Sequence, residues 1–278
     1  MAPSYGEALT SESPSVGRSR RVRCRVQTHG MRIVEANDWK DAAITLLEPR
    51  SPYRPWRTGA EPLRAEERVL AVLHTDPVSV LTVIGAADVN GNATFGRYTS
   101  LNLVEATALA LIAEIPRPRD PRLNWTLDDS TAEDIELALE DLWFHRDPFL
   151  RFGHTSLAAA RILLQSRAVC AGCDKNIGLR GLAARDRIHI HTVDPPPRGN
   201  EPADWPAAVC TRCCNEMGDN FLDFRFGRHP QCPMCHARRA MSAIYGLPAA
   251  PHVEPWQDLR GCCVTEEKWT CSKCQHTW

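Results

Sequence analysis

Apolar positions change rhythm twice along this chain. From residue 31 to about 160 they form runs and periodic stretches that predict ordinary elements. "PLRAEERVLAVLHT" (62–75) carries apolar residues at helical spacing, and "PVSVLTVIGA" (77–86) is the near-continuous apolar run of a buried strand. "DVNGNA" (88–93) follows as a hairpin signal, because Asn-Gly accepts the positive φ angles of a tight turn. "SLNLVEATALALIAEI" (100–115) reads as a helix stopped by the prolines of "PRPRDPR". "DDSTAEDIELALEDLWFHR" (128–146) opens with N-cap residues and first-turn acids, which favours a helix start. "TSLAAARILLQS" (155–166) predicts one more helix, running straight into a pair of cysteines. No catalytic motif lies in this stretch.

Before residue 31 the chain is rich in Ser, Pro and Arg, with "GRSRRVRCRV" (17–26) concentrating positive charge. Residues 1–30 are expected to form a disordered basic arm, either of the kind that grips phosphates or a solvated terminus with no partner. After about residue 165 the periodicity fades while cysteine, proline and tryptophan rise. That is the expected composition where metal replaces a large hydrophobic core. Net charge is −1, yet across 151–241 basic residues outnumber acidic ones by about five, which suits an anionic partner. A hydrophobic content of 43% excludes wholesale disorder. No apolar run approaches the roughly 20 residues a bilayer span needs, and the first residues lack the apolar stretch of a secretory signal. A cytoplasmic protein without membrane contact is the expectation.

Eight of the 12 cysteines fall in Cys-x-x-Cys pairs: Cys170/Cys173, Cys210/Cys213, Cys232/Cys235 and Cys271/Cys274. In a reducing compartment such pairs read as zinc ligands before disulfides. Zinc takes four ligands in a tetrahedron, and each pair offers two sulfurs from one knuckle. Neighbouring pairs therefore predict two structural Zn2+ sites: Cys170, Cys173, Cys210 and Cys213, then Cys232, Cys235, Cys271 and Cys274. Each can contribute on the order of 10 kcal/mol to folding. Cys24, Cys214, Cys262 and Cys263 stay unassigned. Cys214 is an alternative to Cys213, and Cys263 or His276 an alternative ligand in the second site. Thioredoxin-like redox chemistry does not fit four successive pairs, and the zinc-deaminase signature fails because "HIHTV" (189–193) lacks its glutamate.

Between the first two pairs lie a basic loop "GLRGLAARDR" (178–187), a strand-like "IHIHTV" (188–193) and a proline turn "DPPPRGN" (194–200). In this order the stretch from about 165 to 220 resembles the zinc-braced HNH endonucleases, whose ββα-metal module sits between two such pairs. The resemblance implies that His191 is the general base activating water against a DNA phosphodiester, with a divalent ion such as Mg2+ at the catalytic site. It departs from the family where Ile190 stands for the metal-binding acid, Trp205 for the asparagine, and Cys214 then Asn215 for the histidine after the second knuckle. His189 shares a strand face with His191. It, Asp204 and Asn215 are the residues from which an ion site could be rebuilt. The plain alternative is that a His-x-His pair forms a polar strand face with no chemistry.

"QCPMCHARRAM" (231–241) and "KWTCSKCQHTW" (268–278) resemble the two knuckles of a zinc ribbon, with Trp269 and Trp278 packed around the second. The expected architecture is α+β: a domain over 31–164, a zinc-stabilised, treble-clef-like ββα-metal module over 165–224, and a ribbon over 225–278. The expected activity is metal-dependent hydrolysis of DNA by His191, with His189 and Asp204 beside it. The alternative is a catalytically degenerate zinc protein that binds nucleic acid, or a protein partner through the ribbon or the N-terminal domain.

Overall fold

The computed structural model describes residues 30–57, 63–64, 67–87, 93–98, 104–105, 126–144, 148–246 and 253–278. The basic arm, and with it Cys24, lies outside them. The fold is α+β, and no helix among the described residues is long and apolar enough to cross a membrane.

A mixed sheet occupies the first half. Its strands are β1 (Met31–Ala36), β2 (Trp56–Arg57), β3 (Arg68–Leu73), β4 (Ser79–Ala87), β5 (Ala93–Tyr98), β6 (Val104–Glu105) and β7 (Thr126–Leu127). The main order is β2-β1-β3-β4-β5, with β6 paired to β4 and β7 to β1. β1 and β3 are parallel, Met31 facing Arg68 and Ala36 facing Leu73, and every other pairing is antiparallel. Parallel neighbours need a crossover, and α1 (Trp39–Leu47) supplies part of it. Its cap is Asp38, whose carboxylate accepts from the Lys40 and Asp41 amides.

The helix expected within 62–75 is a strand from Arg68 to Leu73. Val69, Ala71 and Leu73 bury into the cluster beneath one sheet face, and Leu70 and Val72 into a second cluster on the other. A strand covered on both faces must be apolar at consecutive positions, and that run also satisfies helical spacing. The strand at 77–86 and its hairpin partner form as expected, Ala87 pairing with Ala93, while the turn at 88–92 lies outside the described residues. Of the helix expected over 100–115 only Val104–Glu105 is described, and it is a strand on the β4 edge.

α2 (Asp129–Phe144) covers the second cluster with Ala132, Ile135 and Leu139. Its start is tied by Asp128, whose carboxylate accepts from the Thr131 amide at 2.9 Å. A short 3-10 turn (Pro148–Arg151) leads to α3 (Ser156–Gln165), capped by Thr155. α3 buries Leu157, Ala160, Leu163 and Leu164 in the first cluster. That cluster does not stop at the sheet: it continues through Cys170, Ile177, Ile188, Val209 and Phe221 to Trp256. Sheet, α3, zinc module and the start of the ribbon thus share one apolar core.

Beyond α3 the elements are short. α4 (Ala184–Arg187) precedes the hairpin of β8 (Ile188–His191) and β9 (Ala207–Cys210), in which Ile188 faces Cys210 and His191 faces Ala207. α5 (Thr211–Met217) and α6 (Phe221–Gly227) follow, the latter capped by the Asn220 side chain. The last sheet has order β11-β10-β12, from β10 (Ala240–Ile244), β11 (Gln257–Leu259) and β12 (Trp269–Cys271).

Candidate metal centres and the histidines between them

The two predicted cysteine sets come together. Within each, the four sulfurs lie within 4.8 Å of one another. Cys173 and Cys210 are 4.0 Å apart, and Cys232–Cys274 and Cys235–Cys271 are each 3.6 Å apart. A tetrahedral ion with Zn–S bonds of ~2.3 Å separates its sulfurs by roughly 3.8 Å, so both sets fit zinc. All described cysteines are free thiols.

Three of the pairs are one repeated device. The amide four residues after the first cysteine donates to that cysteine's carbonyl: Asp174 to Cys170 at 2.8 Å, His236 to Cys232 at 3.0 Å, and Gln275 to Cys271 at 2.8 Å. The first cysteine's amide donates one residue further on, to Lys175, Ala237 or His276. This ring forces Asp174, His236 and Gln275 to φ of 57°, 56° and 59°, so each knuckle carries a left-handed residue after its second cysteine. Short bridges, Val169 to Asn176 and Thr270 to Thr277, close the first and last knuckles. The fourth pair differs: Cys210 ends β9 and Cys213 lies in the first turn of α5. Knuckle, hairpin and helix together make the treble-clef-like arrangement.

Four crowded thiols resist joint ionisation unless a cation shares them. Burial pushes Cys170 and Cys213 up, and the neighbouring sulfurs push Cys213 further. In the second set burial would raise Cys232, but the amides of Cys235 and Met234 aim at its sulfur and hold it near 7. The His276 amide lowers Cys274, yet the sulfurs of Cys235, Cys232 and Cys271, together with burial, push it to about 12. Cys214, on α5, belongs to neither set, and neither do the exposed Cys262 and Cys263 or His276.

The first knuckle is braced from α6. Arg225 is buried, and its guanidinium donates to Gly172 O at 3.3 Å and pairs with Asp174 at 2.9 Å. Its other side lies over Trp256, 5.5 Å from the ring centre. No spacing rule marks Arg225 in the sequence, because its partners are 53 and 51 positions away.

His191 sits at the end of β8 with Nε2 2.6 Å from Asp204 Oδ2. Their side chains are 16% and 14% exposed, so the pair is largely withdrawn from water. The other oxygen, Asp204 Oδ1, accepts from the backbone amides of Trp205 (2.7 Å), Phe221 (2.9 Å) and Leu222 (3.1 Å). Burial raises the Asp204 carboxyl, but the His191 bond and these amides outweigh it and keep it below the usual range. The pair therefore fastens the end of the hairpin to the start of α6.

His189 faces a different partner, Thr211 Oγ1 at 3.1 Å. Among the described residues, the groups of three or more His, Cys, Asp or Glu side chains close enough to share an ion are the two cysteine sets alone. His189, His191 and Asp204 do not form a third, and exposed Asn215 lies on α5. Ile190 packs against the shared core, which explains an apolar residue where the resembling family carries an acid. Trp205 is 7% exposed, meets Phe152 edge-on at 5.3 Å, and donates from Nε1 to Glu254 at 2.6 Å. Glu254 also takes both terminal nitrogens of Arg151, at 2.8 and 3.2 Å. Trp205 thus joins the module to the ribbon, a role an asparagine could not fill. Trp269 packs on His229 at 4.9 Å, and Trp278 stacks on His276 at 5.8 Å while its backbone pairs with Trp269, as expected around the last knuckle.

The chain matches no known protein family, no curated protein and no solved structure.

Proposed function

We propose that this protein is a zinc-braced nucleic-acid-binding protein, and that its HNH-like hairpin keeps the structural metal without a catalytic ion. The observation that carries this reading is the His191–Asp204 bond. Nε2 of the expected base is taken by a carboxylate that is itself saturated by three backbone amides. A carboxylate so committed has little left for a hydrated divalent ion, and His189 is engaged elsewhere. Across 151–241 basic residues outnumber acidic ones by about five, which supplies the attraction to a polyanion.

Metal-dependent cleavage is the second reading, and the same dyad favours it. An aspartate at 2.6 Å would orient His191 and support its protonation, as a positioning partner does for a general base. The two are separated by incubating supercoiled plasmid with zinc-loaded protein and Mg2+, Mn2+ or Ni2+, beside the His191→Ala variant. Binding is followed in parallel by anisotropy of a labelled duplex. Salt-sensitive binding with intact plasmid in every lane is expected. Nicking by the wild type that His191→Ala loses would replace the binding reading with the catalytic one. Absence of both would remove nucleic acid as the partner.

A further inference from the structure

We infer that duplex DNA is held by its phosphate backbone in an open groove beside the first cysteine set, gripped by Arg180, Arg187 and Arg212. This rests on the nucleic-acid reading above and names its contact surface. The groove encloses about 730 Å3 and runs past Asn176, Cys210 and Thr211, with Glu48 of the N-terminal domain on its rim. Its three arginines come from separate segments: the loop after the first knuckle, the end of α4 and the start of α5. The tertiary fold brings them to one depression.

Each guanidinium is held from behind through its Nε. Arg180 Nε meets Glu48 at 3.1 Å, Arg212 Nε meets Glu216 at 2.8 Å, and Arg187 Nε donates to Gly178 O at 3.0 Å. Arg187 spends one terminal nitrogen on Arg180 O at 2.5 Å. Both terminal nitrogens of Arg180 and Arg212, and one of Arg187, have no partner among the described residues. Anchored forks with free ends suit phosphate oxygens, because little side-chain freedom remains to be lost on binding. Arg180 and Arg212 are exposed, so their acidic partners cost little to share. Thr211, which lines the groove, is bonded through its hydroxyl to His189.

The shape selects among phosphate ligands. The groove is open to solvent and carries three arginines from separate segments, which suits the several phosphates of a polymer over a single free phosphate. No aromatic side chain lines it, so it offers no stacking platform for the bases of a single strand. A reader of this kind contacts the backbone and is indifferent to sequence.

The test is anisotropy of a labelled duplex, and of its single strands, titrated with the full zinc-loaded chain across 50–200 mM salt. The triple variant Arg180→Ala/Arg187→Ala/Arg212→Ala is compared with an equal-charge control on the ribbon, Arg238→Ala/Lys268→Ala/Lys273→Ala. Each lost phosphate contact lowers the slope of log K against log salt by about 0.9, so the groove variant should lose roughly 2.7 and at least tenfold in affinity. The control should lose neither. Glu48→Gln, which takes an acid from the rim and needs no arginine removed, should bind duplex tighter. Equal slopes for the groove variant and the wild type would overturn the site while leaving nucleic-acid binding intact. Single strands preferred over duplex, or displacement of duplex by inorganic tripolyphosphate at matched charge and salt, would overturn the ligand. A wild type that binds neither strand form would instead overturn the functional reading beneath it.

Discussion

Gly172 tests the geometry of the first cysteine set more sharply than removal of a ligand. It is the third residue of the first knuckle, and a Cβ there would lie 2.9 Å from Phe224 Cε1 and 3.0 Å from both Cβ and Sγ of Cys213. Carbon contacts are best at ~3.5–4.0 Å, so the added methyl intrudes by about half an ångström or more on a residue of α6 and on a ligand sulfur. Neither can yield freely: Cys213 is buried in the first turn of α5, and Phe224 is packed against Phe221 and Arg228. Overpacking of this kind costs about 1–3 kcal/mol. Because the strain falls on the metal's own ligand, it should appear as zinc affinity weakened roughly 5- to 150-fold. The assay is zinc release to a chromogenic chelator from Gly172→Ala, read as two phases for the two sets. One phase should shift and the other should hold. The corresponding residues of the other knuckles are Met234 and Lys273, both exposed, so Met234→Ala should release zinc as the wild type does. A Gly172→Ala protein with two unshifted phases would refute the packing argument.

Metal analysis should find two zinc ions per chain in the wild type and in Cys214→Ser, but one in Cys213→Ser; equal losses in both variants would mean the two cysteines share the ligand role. Glu254→Ala frees the Trp205 indole and the Arg151 guanidinium at once, and hydrogen bonds to a charged group are worth about 1.5–3 kcal/mol. Thermal unfolding should show a lowered Tm for Glu254→Ala and a smaller loss for Glu254→Gln, which keeps an acceptor without the charge; an unchanged Tm would mean that this junction adds nothing.

Much of the metal chemistry was legible from spacing alone. A Cys-x-x-Cys pair closes its knuckle with bonds that span five residues, so local sequence suffices to announce it. The pairing of first with second and third with fourth was also readable, because four thiolates need one ion and neighbours in sequence met first. Helices with strong caps, such as those begun by Asp128 and Thr155, were equally visible. β3 was not, since a strand buried on both faces erases the alternation that would distinguish it from a helix.

The histidines show where local reading stops. Sequence placed His189 and His191 on one strand face, and the strand obeys. What each meets depends on segments 13 and 22 positions away, Asp204 and Thr211, whose approach is set by the hairpin and by the two helices after it. The same holds for the arginine groove and for Gly172, which reads as an ordinary knuckle residue until α5 and α6 close over it. This chain's sequence by itself determined that four Cys-x-x-Cys pairs offer two zinc-type sets, and in which kind of turn, because those interactions are short-range and chemically selective, whereas the choice of Cys213 over Cys214, and of the paired cysteines over Cys263 or His276, came from the packed chain. Only the tertiary structure decided that sheet, zinc module and ribbon share one core, that the expected base is fastened to a saturated carboxylate, and that three scattered arginines line one groove. Such contacts are long-range, made by residue types that occur everywhere, and nothing but the packed chain brings them together.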